Sequence, residues 1–237
     1  MPLPAPIFVL KRTAKRKARD QAIPLHRALD LVAAAQGFCS WSHLAAMTPQ
    51  DDPTREILPQ LATGTLCLIA ARPGHGKTRL GLNLALSAAR LQRRGHVFTL
   101  EYTARDIVDL LRSMNVDPNM ASETLVLDTS DDISARHIIN RLGASSQPAL
   151  VVVDYLQLLD QKRSHPSLEA QMAALQRRAA ETGDIFVLLS QIDRAFDLSG
   201  KSMPGISDLR LPNPLDLAVF HKIFFLHEGR LHSEAAA

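Results

Sequence analysis

The chain has only two cysteines in 237 residues, Cys39 and Cys67. Neither is spaced for a disulfide framework or a zinc site, so a cross-linked secreted scaffold is excluded, and both thiols are expected to be buried in a reducing compartment. No apolar run approaches the roughly 18 residues of a membrane span. The N-terminal apolar residues precede the basic cluster, which is the reverse of a secretory signal. A cytoplasmic protein without a membrane anchor is expected. The nine histidines form no group with zinc-ligand spacing. A Gly-x-Ser-x-Gly elbow and a Cys/His nucleophile pattern are both missing, which sets acyl transfer aside. There is no internal repeat.

What is present suits one α/β domain with a small appendage. The net charge is +3, unevenly spread. Residues 1–50 hold seven Lys/Arg against two Asp/Glu, so they carry +5 and the remainder carries 3 − 5 = −2. A polyanionic partner would meet the N-terminal part first.

Residues 1–50 read as a basic helical module, with a break at Pro24, a stop at Gly37 and a third short helix near Ser40. The polar, Pro-containing stretch that follows reads as a linker over 51–59. Residues 60–237 then alternate strands and helices in the βαβ manner, which predicts a mostly parallel sheet with helices on both faces. Expected strands are 66–70, 96–100, 125–128, 150–154, 185–190 and 219–226. Expected helices are 77–93, 104–114, 133–142 and 167–182, with Gly95 and Gly183 as C-terminal stops. Residues 194–214 read as a loop.

The run Thr65-Leu66-Cys67-Leu68-Ile69-Ala70 is followed by Ala71-Arg72-Pro73-Gly74-His75-Gly76-Lys77-Thr78-Arg79, which opens an amphipathic helix. Strand, Gly-rich loop and helix in this order make a phosphate cradle: several backbone N–H groups converge and the helix dipole adds positive potential. Lys77 supplies a full charge for the β- and γ-phosphates, and the Thr78 hydroxyl completes a Mg²⁺ shell. Ala71 stands where the general pattern has its first glycine.

The other candidates end strands. Leu150-Val151-Val152-Val153-Asp154 closes with the acid expected to hold the Mg²⁺ shell, although a strand-end Asp also caps turns. Glu101 is the candidate general base, against the simpler reading of a solvated residue ahead of a helix. Gln191 is the candidate contact to the γ-phosphate or the attacking water, against a side chain bonded to local backbone. Between positions 11 and 19 stand six cations, Lys11, Arg12, Lys15, Arg16, Lys17 and Arg19. They are candidate DNA contacts, or a solvated helix face. Loops near 161–165 and 194–210 are the alternative DNA sites. Phe38 and Trp41 read as a small core rather than a base-stacking surface.

Taken together, these segments resemble the C-terminal ATPase domain of replicative hexameric DNA helicases of the DnaB type. The resemblance covers about residues 60–228. Alanine at position 71 is common in that family's loop. Leu100-Glu101 resembles the strand that delivers its catalytic glutamate, and Val153-Asp154-Tyr155-Leu156-Gln157-Leu158-Leu159 resembles its Walker B segment. Leu189-Ser190-Gln191-Ile192-Asp193-Arg194 resembles its Ser-Gln sensor, and Ser207-Asp208-Leu209-Arg210 a later loop. The resemblance implies a RecA-like core, ATP and Mg²⁺ as ligands, a homo-oligomer with the hexameric ring as its family form, and single-stranded DNA as partner. The family continues past its last matched strand into another that carries basic residues reaching the neighbouring subunit. No such strand is expected here, which leaves Arg210 and Arg230 as candidate trans cations and implies slow hydrolysis. Three functions follow: a DNA-translocating or unwinding ATPase, a non-motor ATP-dependent DNA-binding switch or helicase accessory, or a RecA/RadA-like recombination ATPase.

Overall fold

Pro24 and Gly37 divide the start of the chain into three helices, α1 (Ile7–Asp20), α2 (Leu25–Ala35) and α3 (Trp41–Met47). Gly37 takes the left-handed conformation, φ 82°, that lets α2 end abruptly. The Ser40 hydroxyl then accepts the His43 backbone N–H and starts α3. Leu10 and Ala14 of α1 pack with Ala28, Val32, Ala33 and Leu44, and Phe38 and Trp41 close the edge of this small core. Cys39 is exposed, contrary to expectation, because it lies in the turn between Gly37 and α3 rather than on a packed face. Cys67 is buried, and burial pushes its thiol up to about 11.

A computed structural model describes residues 7–47, 52–143, 147–160, 165–211 and 213–235. The chain divides into two units, Met1–Asp52 and Pro53–Ala237. Most of the stretch read as a linker is ordered into the second unit. Pro53–Ile57 forms α4 and Leu58–Gln60 a 3-10 turn, because Ile57 and Leu58 are apolar enough to join the core. Positions 48–51 lie outside the described residues, as do 161–164 of one candidate DNA loop.

The second unit is layered by the alternation of its strands. In β1 (Leu66–Ala71), Leu66, Leu68 and Ala70 join one apolar cluster while Cys67, Ile69 and Ala71 join another. Successive residues face opposite sides of a strand, so such a run has to be covered on both faces. The remaining strands are β2 (Arg94–Thr99), β3 (Leu125–Asp128), β4 (Ala149–Asp154), β5 (Ile185–Gln191), β6 (Lys222–His227) and β7 (Arg230–Ala235). They form one sheet in the order β3-β2-β4-β5-β1-β6-β7. All neighbours are parallel except the β6–β7 pair. Helices α5 (Lys77–Leu86), α6 (Ala104–Ser113) and α7 (Pro118–Thr124) belong to one face. Helices α8 (Ala135–Leu142) and α9 (Leu168–Thr182) cover the other. Ser134, Ser167 and the Thr103–Asp106 capping box start α8, α9 and α6.

Three local expectations need correction. Strand β7 exists: it is polar on its exposed side, so it carries little apolar signal, and it is held by pairing with β6 through the Glu228-Gly229 turn. Helix α5 stops at Leu86, passes into a 3-10 turn over Ser87–Leu91, and ends on Gln92 at φ 55°. Gly95 is therefore no helix stop. It lies in β2, where an added Cβ would come within 2.1 Å of the Ala85 carbonyl oxygen. Gly183 does cap α9 in the left-handed region, φ 77°.

The Gly95 contact gives a measurable expectation. Gly95→Ala drives a methyl into backbone that cannot rotate away, and overpacking of this kind costs about 3 kcal/mol. The urea midpoint should fall accordingly; an unchanged midpoint would mean that α5 and β2 are not in this close contact.

Candidate nucleotide site

Parallel strands deliver their carboxyl ends to one edge of the sheet, and that edge gathers the residues singled out above. Ala71 ends β1, Glu101 follows β2, Asp154 ends β4 and Gln191 ends β5. The loop Arg72–Gly76 leaves β1 and turns into α5. Gly74 and Gly76 have φ of 79° and 86°, which favour glycine, and a Cβ on either would meet nothing within 4 Å. Positions 74 and 76 thus leave open space ahead of α5, the setting in which loop and helix N–H groups can bind an anion.

Lys77 and Thr78 are the first two residues of α5. The Lys77 ammonium lies 2.5 Å from Asp154 Oδ1 and 3.7 Å from Glu101 Oε2, and 4.9 Å from the centroid of the Tyr155 ring. The Thr78 hydroxyl donates to Asp154 Oδ2 at 2.7 Å. Asp154 is 1 % exposed and Lys77 7 %, so this pair is desolvated, while Glu101 at 35 % remains open to solvent. Burial pushes the Glu101 carboxyl above its ordinary range; the Lys77 charge opposes this and the Asp154 charge adds to it. The Glu101 backbone N–H donates to the buried Thr99 hydroxyl, which fixes the chain where it leaves β2.

The other loop residues turn away from this cluster. Arg72 donates from Nε and Nη2 to the Asp197 carboxylate at 3.0 and 2.7 Å, and from Nη1 to the Ile192 carbonyl at 3.0 Å. Those bonds hold the Asp197 carboxyl below its usual range. His75 Nδ1 accepts the Glu228 backbone N–H at 3.3 Å, and its ring stacks on His227 at 5.0 Å. Phe196 meets His227 edge-on. Burial, and then the His227 charge, push His75 below its ordinary value, which suits a neutral ring that accepts at Nδ1. Pro73 is exposed at the tip of the loop, and Arg79 lies half-buried in the first turn of α5.

Gln191 sits beside this edge with its Oε1 accepting from Arg210 Nη1 at 3.4 Å, while the Arg210 N–H donates to the Gln191 carbonyl. Arg210 is therefore engaged within its own chain. Arg230 is exposed at the start of β7, opposite His227 of β6. Lys11, Arg12, Lys15, Arg16, Lys17 and Arg19 all lie on α1, in the other unit. The segment 194–210 is less irregular than expected: two 3-10 turns and the Ile192–Leu209 bridge shape it, and Lys201 and the Gly205 N–H hold Asp208.

Several residues of the site carry no local signature. Asp197 opposite Arg72 and His227 behind His75 are reached only through the fold, and although Tyr155 stands in the segment 153–159 singled out above, its place beneath the lysine is given by the fold alone. Gln157 of the same segment has a role that only the fold shows: its Nε2 donates to Ser190 Oγ at 3.1 Å and to the Arg210 carbonyl, tying the ends of β4, β5 and the later loop together.

Comparison with known proteins agrees with this architecture. Residues 109–216 match the family described as the DnaB-like helicase C terminal domain; Asp154 and Gln191 fall inside that span, whereas the loop 71–78 and Glu101 precede it. A probable plasmid replicative DNA helicase of Chlamydia muridarum (strain MoPn / Nigg) is 28% identical over 192 residues, covering 68% of this chain and 42% of that protein. The chain thus spans well under half the length of that relative. Among solved structures, a DnaB-like replicative helicase, studied with its primase interactions, superposes with a TM-score of 0.56 at 19% identity over 89% of this chain and 64% of that one. A KaiC-like protein from the hyperthermophilic archaeon Pyrococcus horikoshii OT3 gives a TM-score of 0.52 at 18% identity, covering 68% of this chain and 70% of that one. In its mostly parallel sheet and its match over residues 109–216, this chain is similar to the DnaB-like helicase C terminal domain.

Proposed function

We propose that the chain binds ATP with Mg²⁺ at residues 71–79, hydrolyses it, and couples hydrolysis to movement along DNA within a homo-oligomer. The observation that carries this reading is the convergence of Lys77 on two strand-end carboxylates beneath an open glycine loop. An ordinary Gly-rich turn has no reason to bury a lysine between two acids.

The residues fit a magnesium nucleotide by their chemistry. Thr78 Oγ1 and the Asp154 carboxylate, hydrogen-bonded to each other, are hard oxygen donors of the kind Mg²⁺ prefers. Bound there, Mg²⁺ would neutralise charge on the phosphate oxygens. The loop N–H groups and the Lys77 ammonium would hold the β- and γ-phosphates and stabilise the charge that builds up as the β–γ bond breaks. Glu101 would take the proton from the water whose oxygen attacks the γ-phosphorus, releasing ADP and phosphate. Its raised pKa makes it a better base than a freely solvated carboxylate. Gln191 would orient that water or contact the γ-phosphate, with Arg210 behind its carbonyl oxygen.

A non-motor ATP-dependent switch is the second reading, and one observation favours it: Arg210 is already spent on its own chain, leaving Arg230 on β7 as the candidate trans cation. A trans arginine is worth about 10³–10⁵ in turnover where it operates. ATPase rate with and without single-stranded DNA, together with mass in the presence of ATP, separates the two. The motor reading expects a DNA-stimulated oligomer. A monomer with slow turnover, unmoved by DNA, would leave the switch. Among the described residues no helix is long and apolar enough to cross a membrane.

A further inference from the structure

The ATPase reading leaves the first unit unused, and its surface has a chemistry of its own. Helix α1 buries Leu10 and Ala14 against α2 and α3, so its apolar seam is consumed inside the unit. The exposed described side chains of α1 are mostly basic. Lys11, Arg12, Lys15, Arg16 and Arg19 are all exposed, and Lys17 is half-buried beside the seam. The three arginines, Arg12, Arg16 and Arg19, follow the i, i+4, i+7 spacing of a single stripe. With Val9, Thr13 and Lys15 they line a shallow hollow of about 560 Å³. Of the described acids near this face, Asp20 lies 3.7 Å from Arg19, and Asp30 accepts the Trp41 N–H.

We propose that this arginine-lined face of α1 is a binding surface for the phosphate backbone of duplex DNA, and that it grips DNA without ATP. Charge and shape support the choice of partner. Five exposed cations along nine residues of helix span about 12 Å, at about 1.5 Å per residue. Guanidinium groups engage phosphate oxygens in a two-pronged manner, and contacts of this kind bind without reading sequence. An anionic membrane would also attract the charge. Interfacial helices, however, hold to membranes by burying an exposed apolar face, whereas Leu10 and Ala14 of α1 are buried in the core of the unit and its exposed described side chains are mostly cationic. The inference does not rest on the nucleotide site, since the residues belong to a separate unit.

The test uses the full-length chain and a fluorescein-labelled 30-base-pair duplex of arbitrary sequence, titrated without nucleotide between about 50 and 200 mM salt, where phosphate-dominated binding is most sensitive. Counterion release gives about −0.9 in the log–log slope per phosphate contact, so replacing Arg12, Arg16 and Arg19 together by Gln should flatten the slope by up to about 2.7. Gln keeps the helix propensity of Arg, and an unchanged circular dichroism spectrum verifies the fold. Arg→Lys at the same three positions should keep most of the slope. Lys11→Gln with Lys15→Gln should lower it by up to about 1.8, which gives a second reading of the same face should the triple variant be poorly folded. Because the titration contains no nucleotide, its outcome is separate from that of the ATPase reading. An unchanged slope in both Gln variants would overturn the proposal. So would retention on phosphatidylserine vesicles with no binding to the duplex.

Discussion

Lys77→Ala should bring ATP turnover down by at least about 10²–10³, the loss seen when one preorganised charge is removed from a reacting centre. The reason is electrostatic. Lys77 is 7 % exposed and sits between Asp154 and Glu101, so its charge acts in a medium far less screening than water. Substitution also removes the partner of a carboxylate that is 1 % exposed. Breaking a buried pair from one side costs about 3–5 kcal/mol, because the remaining charge has lost its compensation. Thr78 still donates to Asp154 Oδ2, which offsets part of that cost. The variant is therefore expected to be less stable as well as inactive, and the two effects need separate assays. Urea unfolding gives the first, and turnover at a temperature where the variant remains folded gives the second. A folded variant that binds and cleaves ATP at the parent's rate would remove Lys77 from the site.

Glu101→Gln should keep ATP binding and lose about 10²–10⁴ in turnover, the usual contribution of a general base. Shape and hydrogen-bonding reach are almost unchanged, so a loss confined to the chemical step points to the proton acceptor. The pH profile carries the same information with a definite sign. Glu101 accepts a proton only when ionised, and burial raises its pKa above that of a free glutamate. Turnover should therefore be present above the raised value and fall as pH drops through it, beginning earlier than the ordinary carboxylate range near 4.3 would allow. The residual activity of Glu101→Gln should not show that acid limb. A raised pKa also means that the protein holds the charged form less well than water does, so Gln should cost little stability. A variant with the parent's rate and the parent's acid limb would transfer the role to another group.

Strand alternation in the 66–70, 150–154 and 185–190 runs was legible because buried parallel strands are apolar on both faces, and the observed sheet has helices on both sides. The loop 71–78 was legible for a similar reason: its glycines and lysine are adjacent in sequence. What could not be read there is contact across long separations. Arg72 and Asp197 are 125 positions apart, and His75 and Glu228 are 153 apart. Nothing local in Asp197 distinguishes it from a solvated acid. Strand β7 escaped because Arg230, Ser233 and Glu234 give it no apolar stripe, and its order comes from β6. Gly95 reads as a helix stop because, in sequence, a glycine that admits a neighbouring helix looks the same as one that ends it. Cys39 was placed inside by its apolar neighbours, although a turn residue faces water whatever flanks it.

The loop side chains also suggest why Arg72 and His75 are not small. Both turn away from the Lys77 cluster and contact the 3-10 turn Arg194–Leu198, one through Asp197 and the other through the His227–Phe196 pair.

The most direct test of the account is a crystal structure of the full chain with Mg²⁺ and a non-hydrolysable ATP analogue. The expected result has the β- and γ-phosphates on the backbone of residues 74–78, Lys77 drawn onto them, the metal beside Thr78 and Asp154, and Glu101 facing the γ-phosphate. An analogue bound elsewhere, with Lys77 still paired to Asp154 at 2.5 Å, would contradict it.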